Sequence, residues 1–188
     1  MEPTPELVTR AAKIKLLLCD VDGVMTDGGV FIAQGLEIKR YFIRDGLGLR
    51  LASTRGIKIG WISNRASTST AERARELKID YLYQASGSKV VAAEDMRHQA
   101  GAAWEEICFM GDDIVDIGLF SKVGLGIAVA DATTEARLAA HAITENNGGN
   151  GAVREVVEFL LRSQGKWQQV LAEHAAGKPA DESSHLKT

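Results

Sequence analysis

Two cysteines in 188 residues, Cys19 and Cys108, are too few for a disulfide framework, and both fall in apolar runs where a free thiol acts as a small filler. No apolar stretch approaches the roughly 20 residues of a membrane-spanning helix. The opening Met1-Glu2-Pro3-Thr4-Pro5-Glu6 lacks both the basic start and the apolar centre of a secretion signal. These absences predict a cytoplasmic protein with no membrane partner. Basic excess is missing too: a net charge of -3 argues against nonspecific nucleic-acid binding. Neither G-x-G-x-x-G after the first strand nor G-x-x-x-x-G-K-[ST] occurs, and Gly124-Leu125-Gly126 alone carries little, so dinucleotide and P-loop readings fall away. What the chain does have is a 45% hydrophobic content, enough for one full core.

Its most informative segment is Asp20-Val21-Asp22-Gly23, which succeeds the apolar run Ile14-Lys15-Leu16-Leu17-Leu18-Cys19. That run reads as a core strand, and ligands of open α/β sheets bind beyond the carboxyl ends of strands. Side chains at i and i+2 of an extended chain project the same way, so Asp20 and Asp22 can face one ligand. One competing reading is a turn whose aspartates cap the next segment of chain. A calcium loop is another, but Val24, Met25 and Phe31 stand where an EF-hand counted from Asp20 needs an oxygen ligand, a glycine and a glutamate. A second acidic cluster, Gly111-Asp112-Asp113-Ile114-Val115-Asp116, comes after the short apolar strand Ile107-Cys108-Phe109-Met110. Two acidic strand ends in one parallel sheet can converge on one ion, and magnesium suits a few carboxylates plus water and phosphate oxygens.

Along the chain, Thr4-Pro5 starts a short helix to about Ala12. Residues 30–33 and 36–42 read as two strands around Gln34-Gly35, a hairpin occupying about 28–43. Asp45 is placed to cap a helix that Gly56 stops, residues 57–62 form a second core strand, and Ser69 with Glu72 suggests a capping box for a helix to Lys78. Strands and helices then alternate: strand 81–83, helix 89–100, strand 107–110, helix 113–121, strand 126–129, helix 133–140. The loop Gly148-Gly149-Asn150-Gly151 leads into a last helix, 152–162. The expected fold is α/β: a Rossmann-like parallel sheet with helices on both faces and a β-hairpin excursion in place of a cap domain. One domain over residues 1–171 and a polar, mobile tail over 172–188 complete the expectation.

Asp20-x-Asp22, Ser63 after the second strand, Lys89 opening a helix and Gly111-Asp112-Asp113-x-x-Asp116, in that order, resemble the phosphatases of the haloacid dehalogenase superfamily. Asp27-Gly28, Arg44-Asp45-Gly46, Tyr83-Gln84, Val123-Gly124-Leu125, 128–132 and 151–156 extend the resemblance to the branch that hydrolyses 3-deoxy-D-manno-octulosonate 8-phosphate, over roughly residues 14–166. The resemblance implies an enzyme of lipopolysaccharide precursor synthesis. In it Asp20 is the nucleophile and Asp22 the acid and then base. Ser63 and Lys89 contact the phosphoryl group, and Asp20, Asp112 and the backbone carbonyl of Asp22 hold Mg2+, with Asp113 or Asp116 orienting the shell. By themselves, Ser63 reads as a strand-end cap and Lys89 as a first-turn lysine set against the helix dipole. A bound phosphate would offset that conflict.

The substrate's second anion, a carboxylate, suits guanidinium contacts, and Arg44, Arg50, Arg65 and Arg73 lie in or near the loops expected to rim the site, with Asp45 and Gly46 beside them. The plainer reading is that Arg65 and Arg73 solvate one helix while Arg50 covers another. Ser63-Asn64-Arg65 departs from the family's usual threonine-glycine-arginine, and Phe42 stands where a polar residue is common. About forty residues separate the first two motifs and the hairpin takes most of them, leaving no cap domain. A lone hairpin is marginal, and its apolar residues need covering. The resemblance implies a homotetramer whose hairpins form a central barrel, although a hairpin folded back on its own sheet is the alternative. Three other functions compete: a phosphatase for a nine-carbon sialic-type acid phosphate, a noncatalytic oligomerisation module, and a capless phosphatase for a protein or nucleic acid phosphate.

Overall fold

All five residues of strand β1 (Leu16–Asp20) are buried, as a strand covered on both faces requires. The computed structural model describes residues 1–177. After β1 come a two-stranded hairpin, β2 (Phe31–Ala33) and β3 (Leu36–Ile38), and then β4 (Lys58–Ser63), β5 (Tyr81–Gln84), β6 (Ile107–Gly111), β7 (Leu125–Ala128) and β8 (Ala142–Ile143). Apart from the hairpin, these form one parallel sheet in the order β5-β4-β1-β6-β7-β8. The chain therefore steps outward from β1 to β4 and β5, then crosses back to β6 and continues the other way. Right-handed crossovers put helices of the outward steps on one face and helices of the return steps on the other. The first set is α2 (Ile43–Thr54) and α3 (Thr68–Leu77), and the second is α4 (Lys89–Ala100), α5 (Ile117–Phe120) and α6 (Thr134–Ala139). Helix α7 (Ala152–Ser163) packs on α2, and α1 (Pro5–Ala11) packs on α7. This is the expected Rossmann-like α/β architecture. Its direction reverses between β1 and β6, where such sheets open a crevice.

Several local expectations change. Asp45 does not cap α2, which starts after Phe42 without a side-chain cap. It lies inside the first turn, fully buried, and its carboxylate accepts N–H bonds from Gly151 at 3.2 Å and Arg154 at 2.7 Å, so it caps α7 instead. Ser67, not Ser69, caps α3, its hydroxyl accepting the Thr70 N–H at 3.2 Å. The helix expected over 113–121 begins as a tight 3-10 turn, Ile114–Asp116, because the Asp116 carboxylate reaches back to the amides of residues 112 and 113.

The hairpin is shorter than expected. Gln34 and Gly35 both take positive φ, the geometry of a tight two-residue turn, but strand pairing ends at Ile38. Beyond it the chain turns Lys39 inward, while Arg40 pairs with Asp27 at 3.0 Å and closes the base. The polar tail does not begin at 172: α8 (Trp167–Ala175) spans that position, anchored by buried Trp167 and Val170. Trp167 lies beneath the guanidinium groups of Arg154 and Arg162. The rest of that expectation falls on residues 178–188, outside the described residues. Cys19 and Cys108 are free and fully buried, their thiols pushed up by burial.

Candidate active site

Register brings the acidic residues together. Cys19 of β1 pairs with Met110 of β6, so Asp20 ends its strand just before the loop that carries Asp112. On the other side Asp20 pairs with Ile62, and Ser63 comes one residue later. Lys89, the first residue of α4, completes the set from the opposite face. Asp20, Asp22, Ser63, Asn64, Arg65, Lys89, Asp112, Asp113 and Val115 line one cavity of about 240 Å³.

At its floor, the Lys89 ammonium lies 2.9 Å from Asp20 Oδ1 and 2.6 Å from Asp116 Oδ1, with all three residues buried. Burial alone would lower the Lys89 pKa, but the two carboxylates outweigh it and hold the charge above its ordinary value. Asp116 has no free oxygen, since Oδ2 accepts the N–H groups of Asp112 at 2.9 Å and Asp113 at 3.1 Å. It is an anchor for Lys89 and for the loop. Of the two residues expected to orient the metal shell, Asp113 is exposed and caps its own turn through the Ile114 N–H at 2.7 Å, whereas Asp116 reaches the amides of the Asp112 loop.

Asp20 and Asp112 carry the electrostatic strain. Burial raises the Asp20 carboxyl above its ordinary range, partly countered by Lys89. Asp112 is pushed up to about 8, by burial first and then by the neighbouring Asp20 carboxylate. Its Oδ1 is buried without a hydrogen-bond partner among the described residues. Oxygens of Asp20, Asp112 and Asp116 all lie within 4.8 Å of one another. An all-oxygen donor set, an orphaned buried oxygen and a surplus of negative charge fit a divalent cation such as magnesium.

The loop between these groups leaves no room for a side chain at Gly23. Its φ is +99°, and a Cβ there would lie 2.1 Å from Asp112 Oδ2. Behind it, a Cβ on Gly148 would fall 1.7 Å from the Gly23 carbonyl oxygen, and the Gly149 N–H bonds the Val24 carbonyl at 2.8 Å. Thr26, fully buried, accepts the Gly28 N–H at 3.2 Å.

The family model for haloacid dehalogenase-like hydrolases matches residues 59–156. The 3-deoxy-D-manno-octulosonate 8-phosphate phosphatase of Yersinia pestis is 40% identical over 162 residues, 86% of this chain and 87% of its own, and that of Escherichia coli K12 is 39% identical over 86% of each. This chain belongs to the haloacid dehalogenase-like hydrolases. Among solved structures of the family, the Yersinia pestis phosphatase superposes with a TM-score of 0.86 at 39% identity, covering 87% of this chain and 89% of that one. The Moraxella catarrhalis phosphatase, in complex with magnesium ion, phosphate ion and KDO, gives 0.89 at 33% identity, covering 92% and 99%.

Within this family member, the other residues expected at the substrate divide. Arg65 lines the cavity, ion-paired to Glu37 and with Nε 3.8 Å from Asp22 Oδ2. Ser63 is buried at the rim, its hydroxyl donating to the Arg65 carbonyl at 3.0 Å and accepting the Arg65 N–H at 3.2 Å. Arg44, Asp45, Gly46, Arg50 and Arg73 do not line the cavity of the single chain. Arg44 lies over the Phe42 ring, Arg50 donates to the Leu77 carbonyl at 3.3 Å, and Arg73 pairs with Glu76 at 2.7 Å. Asp45 has both oxygens engaged on α7, which removes it as a substrate ligand, and Gly46 is packed against Arg73 and Leu77. Sequence reading missed Lys39, whose buried ammonium lies 2.7 Å from Asp22 Oδ1. The only signal for it was a lysine at the end of an apolar strand.

Proposed function

We infer that this chain is a magnesium-dependent phosphatase that hydrolyses 3-deoxy-D-manno-octulosonate 8-phosphate to the free sugar acid and phosphate, in lipopolysaccharide precursor synthesis. The observation that carries this reading is the convergence of Asp20, Asp112, Asp116 and Lys89 in a chain 40% identical to a phosphatase of that specificity over most of both lengths. Asp20 Oδ attacks phosphorus as the P–O bond to the sugar breaks, giving an aspartyl phosphate. Asp22 hands its proton to the departing sugar oxygen. It then takes one from the water that attacks the acyl phosphate, and Asp20 is regenerated. Lys89, fixed between Asp20 and Asp116, neutralises charge on the transferring group, and Ser63 offers its hydroxyl to a phosphoryl oxygen. Asp20, Asp112 and the Asp22 backbone carbonyl would hold Mg2+, which supplies charge neutralisation when bound.

Arg65 is the guanidinium placed for the substrate carboxylate, as a residue of the cavity wall. Arg44, Arg50 and Arg73 serve a site completed by a neighbouring chain, in a homotetramer assembled through the hairpin. Exposure of Phe31, Ile32, Leu36 and Ile38 supports that assembly. No described helix is long and apolar enough to cross a membrane, in keeping with a cytoplasmic enzyme. A phosphate-release assay across eight-carbon and nine-carbon sugar acid phosphates tests the assignment. Preference for the eight-carbon ester is expected. Equal turnover, or preference for nine carbons, would remove it.

A further inference from the structure

Lys39 sits one residue beyond the hairpin strand β3, yet its side chain is completely buried. A lysine is almost never buried that far without partners. Its ammonium lies 2.7 Å from Asp22 Oδ1, 3.1 Å from Thr70 Oγ1 and 3.7 Å from Glu37 Oε1. Each partner is held in turn. Thr70 Oγ1 hydrogen-bonds the Tyr41 hydroxyl at 3.1 Å, and Glu37 accepts the Ser67 hydroxyl at 2.6 Å and pairs with Arg65. The ammonium is thus held by Thr70 and Glu37 on the sides away from Asp22. Asp22 Oδ1 is buried, and its contact with Lys39 is an ion pair rather than an aligned hydrogen bond, so the exposed part of this half-buried carboxyl group excludes that oxygen.

We propose that Lys39 is a positioning residue for the acid–base group, pinning Asp22 Oδ1 so that Oδ2 is the oxygen presented to the sugar's leaving oxygen. The assignment rests on the phosphatase reading and deepens it. It also gives the hairpin a direct connection to chemistry, because the residue that grips Asp22 leaves the end of β3. A carboxyl group on a free rotor samples orientations that cannot transfer a proton, whereas one with an oxygen clamped meets the leaving group in a fixed direction.

Leaving-group dependence separates this role from ordinary structural support. An alkyl phosphate such as the sugar ester needs a proton on its departing oxygen, and p-nitrophenyl phosphate does not. Because kcat/KM reports steps up to the first irreversible one, it isolates formation of the aspartyl phosphate. K39M is expected to lower kcat/KM for the sugar ester by about 10- to 100-fold, in the direction of general-acid loss, and for the aryl ester by less than about 3-fold. D22N should show the same asymmetry more strongly. Circular dichroism and the thermal midpoint report whether K39M is folded. If it is not, T70V, which loosens the ammonium without removing it, should show a several-fold loss confined to the alkyl ester. Equal loss on both esters, or none, in a folded variant would overturn the role given to Lys39 while leaving the phosphatase reading intact. A wild-type protein that turns over neither ester would sink that reading, and this inference with it.

Discussion

At the scale of single residues, the acidic floor has to satisfy two opposed demands, proximity to phosphate and tolerance of its own charge. Asp20 sits 2.9 Å from the Lys89 ammonium, an approach that restrains the proposed nucleophile. Asp20→Asn keeps the shape and removes the attacking carboxylate. Phosphate release should fall on the order of 10³-fold or more, with little change in thermal midpoint. Unchanged release would eliminate the aspartyl-phosphate route. Gly23→Ala should be destabilising by about 1–2 kcal/mol, since alanine at positive φ is strained and its methyl displaces Asp112. Chemical denaturation measures the first effect and loss of turnover the second.

Asp112 makes stability depend on pH in a definite direction. In the metal-free chain its carboxyl is raised from 3.8 to about 8, so between those values the folded protein keeps a proton that the unfolded chain has lost. Folding then takes up a proton, and stability contributed by this group falls as pH rises through the window. Thermal midpoints of chelator-treated protein should decline toward pH 8, less steeply in Asp112→Asn, and Mg2+ should raise them most at the alkaline end. A midpoint that climbs with pH in the wild type, or an identical slope in the variant, would contradict this.

At the scale of elements, Asp45 ties two helices together: it belongs to α2 but satisfies the first amides of α7. Removing it leaves those donors unpaired in the core, so Asp45→Ala should cost about 2–3 kcal/mol while KM changes little. A raised KM with unaltered stability would restore Asp45 to the substrate. The same residue explains which parts were readable from the sequence. Asp20, Asp22 and Asp112 could be found because acidic residues cluster where apolar runs end, a local signal, whereas Lys89 gained its part only through the family resemblance. Asp45 looked like a cap for its own helix because its real partners lie at 151 and 154. Lys39 was hidden for the same reason, with Thr70 and Asp22 both remote in sequence. Strand β8 is two residues long, too short for any periodicity, and α8 shows only Trp167 and Val170 as buried anchors among polar neighbours.

At the scale of the whole molecule, the hairpin is the part the single chain leaves unfinished. Phe31 is 67% exposed, Ile32 77% and Leu36 69%, an apolar patch that supports the proposed assembly. Ile32→Glu combined with Leu36→Glu should convert the proposed tetramer into smaller species by sedimentation velocity, with activity falling in parallel. A wild type that sediments as a monomer would sink the assembly.

The close approach of Gly148 to the Gly23 carbonyl means that the loop after Asp20 is braced by a stretch synthesised long after it. A nascent chain that has emerged through β7 already carries the aspartates and the lysine of the floor, but the backbone that steadies the first turn is still in the ribosome. The first turn therefore lacks this brace until residues 148 and 149 have been added. Fragments released by premature termination would carry the chemistry's letters without its power to act on cellular phosphate esters.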